Sequence, residues 1–379
     1  MINKNIIALG FVSFFTDMAS SMVTTILPLF IVYTLHEGVD KLGYVVAIAT
    51  FISYAFRVLF GYFSDRYQVV KPFVVTGYFI SAVTKPLLTM SGSWQSVATL
   101  RGVERVGKAV RSATKDSLIS SAYSNGKSGK TFGFHKTMDI AGELTGSLIV
   151  FTLLFYLGES EALFRNIFAF TLIPGLIAVV IVLFFVKDAP YKAKAKTFDL
   201  KKDYALLPML FVYFGFVFFM FNDSFFLIKA KEVGIATVYI PLLVVLLNLT
   251  QTMLSYFLGV KIDEIGAKKI LTLSFVFGLL STASLYFNLV VMGFVFLGVF
   301  VVGSLNALRA YISDHAHNKG TIYGILYGGV ALFGALGALV TGVIWEHYDA
   351  QSAVLFSLVG MGVVFMGYLT ILKKGNNDV

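Results

Sequence analysis

Between Arg101 and Asp116 the stretch RGVERVGKAVRSATKD places seven charged side chains: Arg101, Glu104, Arg105, Lys108, Arg111, Lys115 and Asp116. At about 100° per residue on a helix they fall within an arc of roughly 140°, while Val103, Val106 and Val110 take the opposite face. A second helix-spaced set, His135, Lys136, Asp139 and Glu143, fills an arc of roughly 100°. Asp17 stands alone inside the first apolar run. Carboxylates in such places can carry a proton and trade partners with bases, and guanidinium forks match carboxylate and phosphate groups. Covalent catalysis is a poor fit. There is no Cys, and no nucleophile and base recur at catalytic spacing, so no catalytic residue, enzyme activity or cofactor is expected.

The elements that must position these groups are membrane spans. Of 379 residues, 57% are hydrophobic and only 13% charged, with a mean hydropathy of +0.82, a composition foreign to soluble domains. Apolar runs of span length occur near 6–34, 43–63, 73–91, 94–118, 131–157, 166–186, 205–228, 238–259, 270–288, 290–312, 321–345 and 351–372. The expectation is therefore an all-α integral membrane protein with twelve spans. The first run is too long for a signal h-region and lacks a small-residue cleavage site, so it reads as a retained span. A charge at mid-bilayer costs from about 2.5 to more than 10 kcal/mol, so the charged face of span four must meet protein or water.

With a cytoplasmic N-terminus, 19 of the 30 basic residues fall on cytoplasmic ends and loops, four on the opposite side and seven within spans. The positive-inside rule then places both termini in the cytoplasm, and it explains a net charge of +9 without nucleic acid. The longest polar gap, 188–203, is Lys-rich and divides the chain into an N-terminal six-helix bundle (1–187), a basic linker that reads chiefly as a solvated loop, and a C-terminal six-helix bundle (204–379). Gly61-Tyr-Phe-Ser-Asp65-Arg66 after span two and Gly259-Val-Lys-Ile-Asp263 after span eight recur at the same place in each half, which argues for duplication. The offset aligns Asp223 with Thr25, so Asp223 and Asp17 are not repeat equivalents.

On these residues the whole chain resembles the major facilitator superfamily, and specifically a bacterial group with a charged fourth helix (RxxERxGKxxR). GYFSDRYQVVKP is similar to the superfamily's motif A, with Gln68 and Val69 where Gly and Arg are usual; FTDMASSM, RGVERVGKAVR and FGFHKTMDIAG are similar to the bacterial group. The resemblance implies two six-helix bundles with inverted repeats within each half, a bacterial cytoplasmic (inner) membrane, and transport by alternating access. It implies a conformational latch of Gly61, Asp65, Arg66, Arg111, Gly259 and Asp263, in which Arg111 partners Asp65. It also puts spans one, two, four and five on a central cavity. Gly142-x-x-x-Gly146 resembles the antiporter motif C, with Ser147 in place of its Pro, and so implies export.

Within that frame Asp17, Asp139 and Glu143 are the proton-coupling candidates. For Asp17 the alternative is a permanent structural pair with Arg57 or a base of span four. Arg57, Arg101, Glu104, Arg105, Lys108, Lys136, Asp223 and Arg309 are the substrate-cavity candidates. The spans hold two more bases than acids; setting aside Lys85, which the resemblance places at the periphery where it can snorkel outward, leaves one. That excess leans towards an anionic substrate. In the second half Asn222, Asn248, Gln251 and Asn306 read as interhelical glue rather than ligand contacts. Gly324, Gly328, Gly329, Gly334, Gly337 and Gly342 in span eleven permit close helix approach.

Two motifs fail. SNGKSGKT (124–131) has Ser where a phosphate loop needs Gly, and His315 and His317 have too few companions for a metal site. The expected protein is a monomeric secondary transporter in contact with membrane lipid, exporting a small organic, anionic-leaning compound by proton antiport. Proton-coupled uptake of an anionic metabolite is the alternative. From another class, so is a non-transporting membrane sensor or scaffold.

Overall fold

The computed structural model describes residues 4–67, 71–121, 128–188 and 201–377, with side chains for all of these except 58–59, 61–67, 113–121, 128–133, 201–202, 319–320, 371 and 373–377. The helices are α1 (Lys4–Leu29), α2 (Val39–Tyr67), α3 (Lys71–Leu87), α4 (Trp94–Ser121), α5 (Ser128–Leu157), α6 (Glu161–Phe170), α7 (Leu172–Phe185), α8 (Leu207–Phe219), α9 (Asp223–Glu232), α10 (Ile240–Ile265), α11 (Ala267–Tyr286), α12 (Val290–His315), α13 (Lys319–His347) and α14 (Ala350–Asn377). Two pairs share a span: α6 with α7, through a kink at Thr171, and α8 with α9. The helices thus make twelve membrane-length segments, and eleven of these are long and apolar enough to cross a bilayer. Helix α4 is the twelfth, set apart by its charges and not by its 28-residue length.

Local sequence accounts for the ends. Ser160 caps α6, its hydroxyl accepting the Leu163 amide at 3.1 Å, with Glu161 in the first turn reaching Arg165 at 2.7 Å. The α8–α9 interruption breaks an expected continuous seventh span. Met220 turns to extended backbone, and the Asn222 side chain accepts the Ser224 amide at 3.0 Å to start a fresh helix. Asn-Asp-Ser is a capping signal that an apolar run of span length conceals. Gly266, at φ +91°, makes the left-handed turn between α10 and α11.

Contacts divide the described chain into two compact units: Met1–Glu37, Ile48–Ala195 and Ala236–Val245 in one, Gly38–Ala47, Lys196–Ile235 and Leu246–Val379 in the other. In the first unit, Leu9 and Val12 of α1, Val74, Tyr78 and Ala82 of α3 and Ala178, Val179 and Val182 of α7 form a buried core. The second is aromatic at its centre: Phe216 stacks on Phe275 at 4.3 Å, and Tyr368 meets Phe275 edge-on at 5.0 Å. In α13, Gly329 abuts the Phe214 ring and Gly337 the Phe218 carbonyl, whereas Gly324 and Gly328 have open space where a Cβ would stand. The first turns of α2 pack on α13, with a Cβ on Gly43 reaching 2.7 Å from the Ala338 carbonyl and the Val39 amide donating to Glu346 at 2.7 Å.

Candidate functional site

The candidate groups of the first unit gather where α1, α4 and α5 carry their charges. Close approach of α1 and α5 comes from glycine: a Cβ on Gly142 would collide with the Phe14 carbonyl, and one on Gly146 with that of Met18. One turn along, Ser21 and Ser147 hydroxyls meet at 2.7 Å. The Ser that replaces the motif's Pro therefore contributes an interhelical hydrogen bond. His135 is buried, bonded to the Ser13 hydroxyl at 3.0 Å and, through its other ring nitrogen, 3.2 Å from Asp139. Between these contacts Asp17 is half-buried and forms no direct ion pair among the described residues. Its permanent pairing with a base is absent from this arrangement.

Glu143 is also half-buried; Asp17, Lys136, Lys108 and Asp139 are its electrostatic neighbours. Lys108 and Lys136 are exposed, Arg57 half-buried. Three carboxylates and two ammonium groups thus sit on adjoining helices, with Asp17 and Glu143 free of direct partners among the described residues. Such groups can take new ionic partners without first breaking a short salt bridge.

Helix α4 is split around its axis as well as along its length. Arg101 and Glu104 are buried and paired at 2.9 Å, and Glu104 also accepts from Ser81 of α3 at 3.3 Å. Arg105, one position on, reaches the same Glu104 oxygen at 3.5 Å while a fifth of its side chain stays exposed. Arg101 and Glu104 consequently face α3 and hold Arg105, which remains accessible together with Lys108. Arg111 is buried with its guanidinium 4.3 Å from the Tyr78 ring centre. It sits where Gly77 and Gly107 bring α3 and α4 together.

Lys85 corrects an expectation. It does not snorkel: it is buried at 1% exposure, with no hydrogen bond to its ammonium among the described residues. Glu104 is its leading electrostatic neighbour. The resemblance puts span three at the periphery, but Ser81 and Lys85 share the face of α3 that meets α4. Counting Lys85 restores the excess of two bases within the spans.

In the second unit Arg309 of α12 donates to the Tyr327 hydroxyl at 3.0 Å, and its carbonyl accepts from Tyr323 at 2.9 Å. This arginine–tyrosine cluster went unnoticed in sequence; Tyr323 and Tyr327, four apart on α13, were the available signal. Asp223 is exposed at the first turn of α9. Asn306 donates to Ser255 at 3.4 Å. Of the latch residues, Asp263 is exposed, and a Cβ added to Gly259 would meet nothing within 4 Å, so no close approach requires that glycine here. The side chains of Asp65, Arg66, Lys115 and Asp116 lie outside the described residues, as do the surroundings of Gly61 and positions 189–200 of the linker. No cluster of three or more metal-ligating side chains occurs among the described residues.

A family model described as Major Facilitator Superfamily matches residues 9–338. An uncharacterised MFS-type transporter of Methanocaldococcus jannaschii is 32% identical over 361 residues, covering 91% of this chain and 89% of the relative. An uncharacterised protein of Mycobacterium bovis is 25% identical over 345 residues, covering 86% and 84%. In fold the chain is similar to the nucleoside transporter NupG, with TM-score 0.80 at 14% identity over 97% of this chain and 99% of that one. It is similar too to the peptide transporter POT in complex with sulfate, with TM-score 0.77 at 13% identity over 99% and 95%.

Proposed function

From its place in the Major Facilitator Superfamily, to which the chain belongs as a secondary transporter and not an enzyme, we propose that it exports a small organic anion in exchange for protons. The observation that carries this reading is the α1–α5 seam, where Asp17 and Glu143 lie half-buried without direct ion pairs among the described residues, beside Asp139 and close to Lys108. Asp17, Asp139 and Glu143 take protons from outside. Loss of their charge weakens their hold on Lys108 and Lys136, and the redistribution biases which side opens. Arg105, Lys108, Arg57 and Lys136, with Asp223 and Arg309 of the second unit, face the substrate. Arg101 and Glu104 position Arg105. The Gly142/Gly146 packing of α5 on α1, the arrangement that motif C serves, supports export as the direction. Arg111, Asp65, Arg66 and Gly61, with Gly259 and Asp263, form the cytoplasmic latch. The protein works as a monomer in the cytoplasmic membrane with both termini inside.

Purified protein in liposomes tests this. An imposed pH gradient should drive uphill movement of at least one member of a panel of organic acids, drugs and siderophores, and Asp17→Asn should abolish that movement while leaving substrate exchange measurable. Unchanged uphill transport by Asp17→Asn would transfer coupling to Asp139 and Glu143. Movement of solute with the proton flux, in place of against it, would establish symport.

A further inference from the structure

At the end of the second unit opposite the chain's C-terminus lies a cavity of about 630 Å³ that transport through the charged seam does not use. Lys229 and Glu232 of α9, Asn288 in the α11–α12 turn, the first turn of α12 and Gln351 of α14 line it. The Lys229 side chain is buried to nine-tenths, yet its ammonium stands 3.6 Å from the Glu232 carboxylate, too far for a hydrogen bond. Glu232 gives its other oxygen to the indole N–H of Trp345 at 3.1 Å. The two opposite charges therefore form an ion pair with no hydrogen bond between them, and both line the cavity. Beside them α12 begins with no side-chain cap, which leaves backbone donors of its first turn for a negative group.

The rim differs in character. Phe287, Leu289, Val291 and Met292 are all exposed around the turn. A site for a freely soluble solute gains nothing from such a border, whereas a lipid lays its acyl chains there and its headgroup inside. A headgroup with phosphate alone would set a like charge against Glu232; a cation alone would do so against Lys229. A primary ammonium has N–H donors for the carboxylate, which a quaternary ammonium lacks. We propose that this cavity seats a zwitterionic phospholipid headgroup carrying a phosphate and a primary ammonium, with phosphate at Lys229 and α12 and ammonium at Glu232. The orientation proposed above makes this the outer leaflet, but the headgroup chemistry stands without that orientation and without proton coupling.

The chain has two Trp residues, so Trp94→Phe leaves Trp345 as a reporter hydrogen-bonded to the cavity wall. Full-length protein with that change, in detergent, is titrated with short-chain phosphatidylethanolamine, phosphatidylglycerol and phosphatidylcholine, and with soluble glycerophosphoethanolamine. Phosphatidylethanolamine should change Trp345 emission saturably, binding about five-fold or more tighter than the other two lipids; Lys229→Met and Glu232→Gln should each remove that preference. Gln keeps a carbonyl acceptor for the indole. Native mass spectrometry of the unmutated protein, which needs no variant to fold, should show phosphatidylethanolamine retained over phosphatidylglycerol. Equal retention, or binding that Glu232→Gln leaves intact, would make the site a plain anion site and overturn the proposal. So would equally tight glycerophosphoethanolamine, which marks a soluble ligand, or the absence of any saturable response.

Discussion

At Glu104 one carboxylate holds two bases, Arg101 at 2.9 Å and Arg105 at 3.5 Å, while its neighbour Lys108 is exposed. Glu104 and Lys108 lie about one turn apart and differ in what they should do. Removing one member of a buried ion pair typically costs about 3–5 kcal/mol, because the partner stays buried and uncompensated. Glu104→Gln should therefore lower the melting temperature of the detergent-solubilised protein markedly. Lys108→Gln should stay within about 0.5 kcal/mol of the parent yet impair transport in liposomes. Equal stability losses would show that exposure does not separate anchor from working residue on α4. Spacing placed both on the polar arc; only the presence of α3 on one side of that arc distinguishes them.

Among the elements, glycine use gives the sharpest contrast. A Cβ on Gly142 runs into the backbone of α1, and none of the helix's neighbours comes within 4 Å of one on Gly259. Gly142→Ala should destabilise by about 1–3 kcal/mol through forced separation of α1 and α5. Gly259→Ala should stabilise by about 0.5–1 kcal/mol through helix propensity, measured by thermal unfolding in the same detergent. A transport defect in a stable Gly259→Ala protein would mean that the latch glycine serves a conformation other than this one. Helix ends make a pH-dependent prediction. Asp349 precedes α14 and accepts the Ser352 amide at 2.6 Å; that bond to the backbone holds its carboxyl below the usual aspartate range. A depressed folded-state pKa gives stability that is present above the ordinary value of about 4 and lost as pH falls through the lower folded value. The melting-temperature gap between the parent and Asp349→Ala should thus be full at neutral pH and close on acidification. A constant gap would point to a contribution other than the charged cap.

For the whole molecule, the absence of Cys makes any single introduced Cys a background-free reporter of access. Arg111 is buried against Tyr78 and belongs to the proposed latch, so Arg111→Gln should change the labelling rate of a Cys at Ser20, a half-buried position near Asp17. The same substitution should leave substrate binding within a few-fold. An unchanged labelling rate would restrict Arg111 to packing α3 against α4.

Hydropathy and charge alone determined the class: composition, twelve span-length runs and the helical arc of charges in span four all follow from chain-local periodicity, since the bilayer fixes segment length and excludes unsupported charge. The charge on α4 that removes it from the apolar count is the same charge that identifies it. Tertiary structure decided which charges are buried in pairs, which stay accessible, and where backbone approaches backbone. Burial of Lys85, the Ser81–Glu104 hydrogen bond, the His135–Ser13 contact and the cavity at Lys229 each depend on residues far apart in sequence. One helix's periodicity says which side chains share a face, but the element packed against that face settles what they meet.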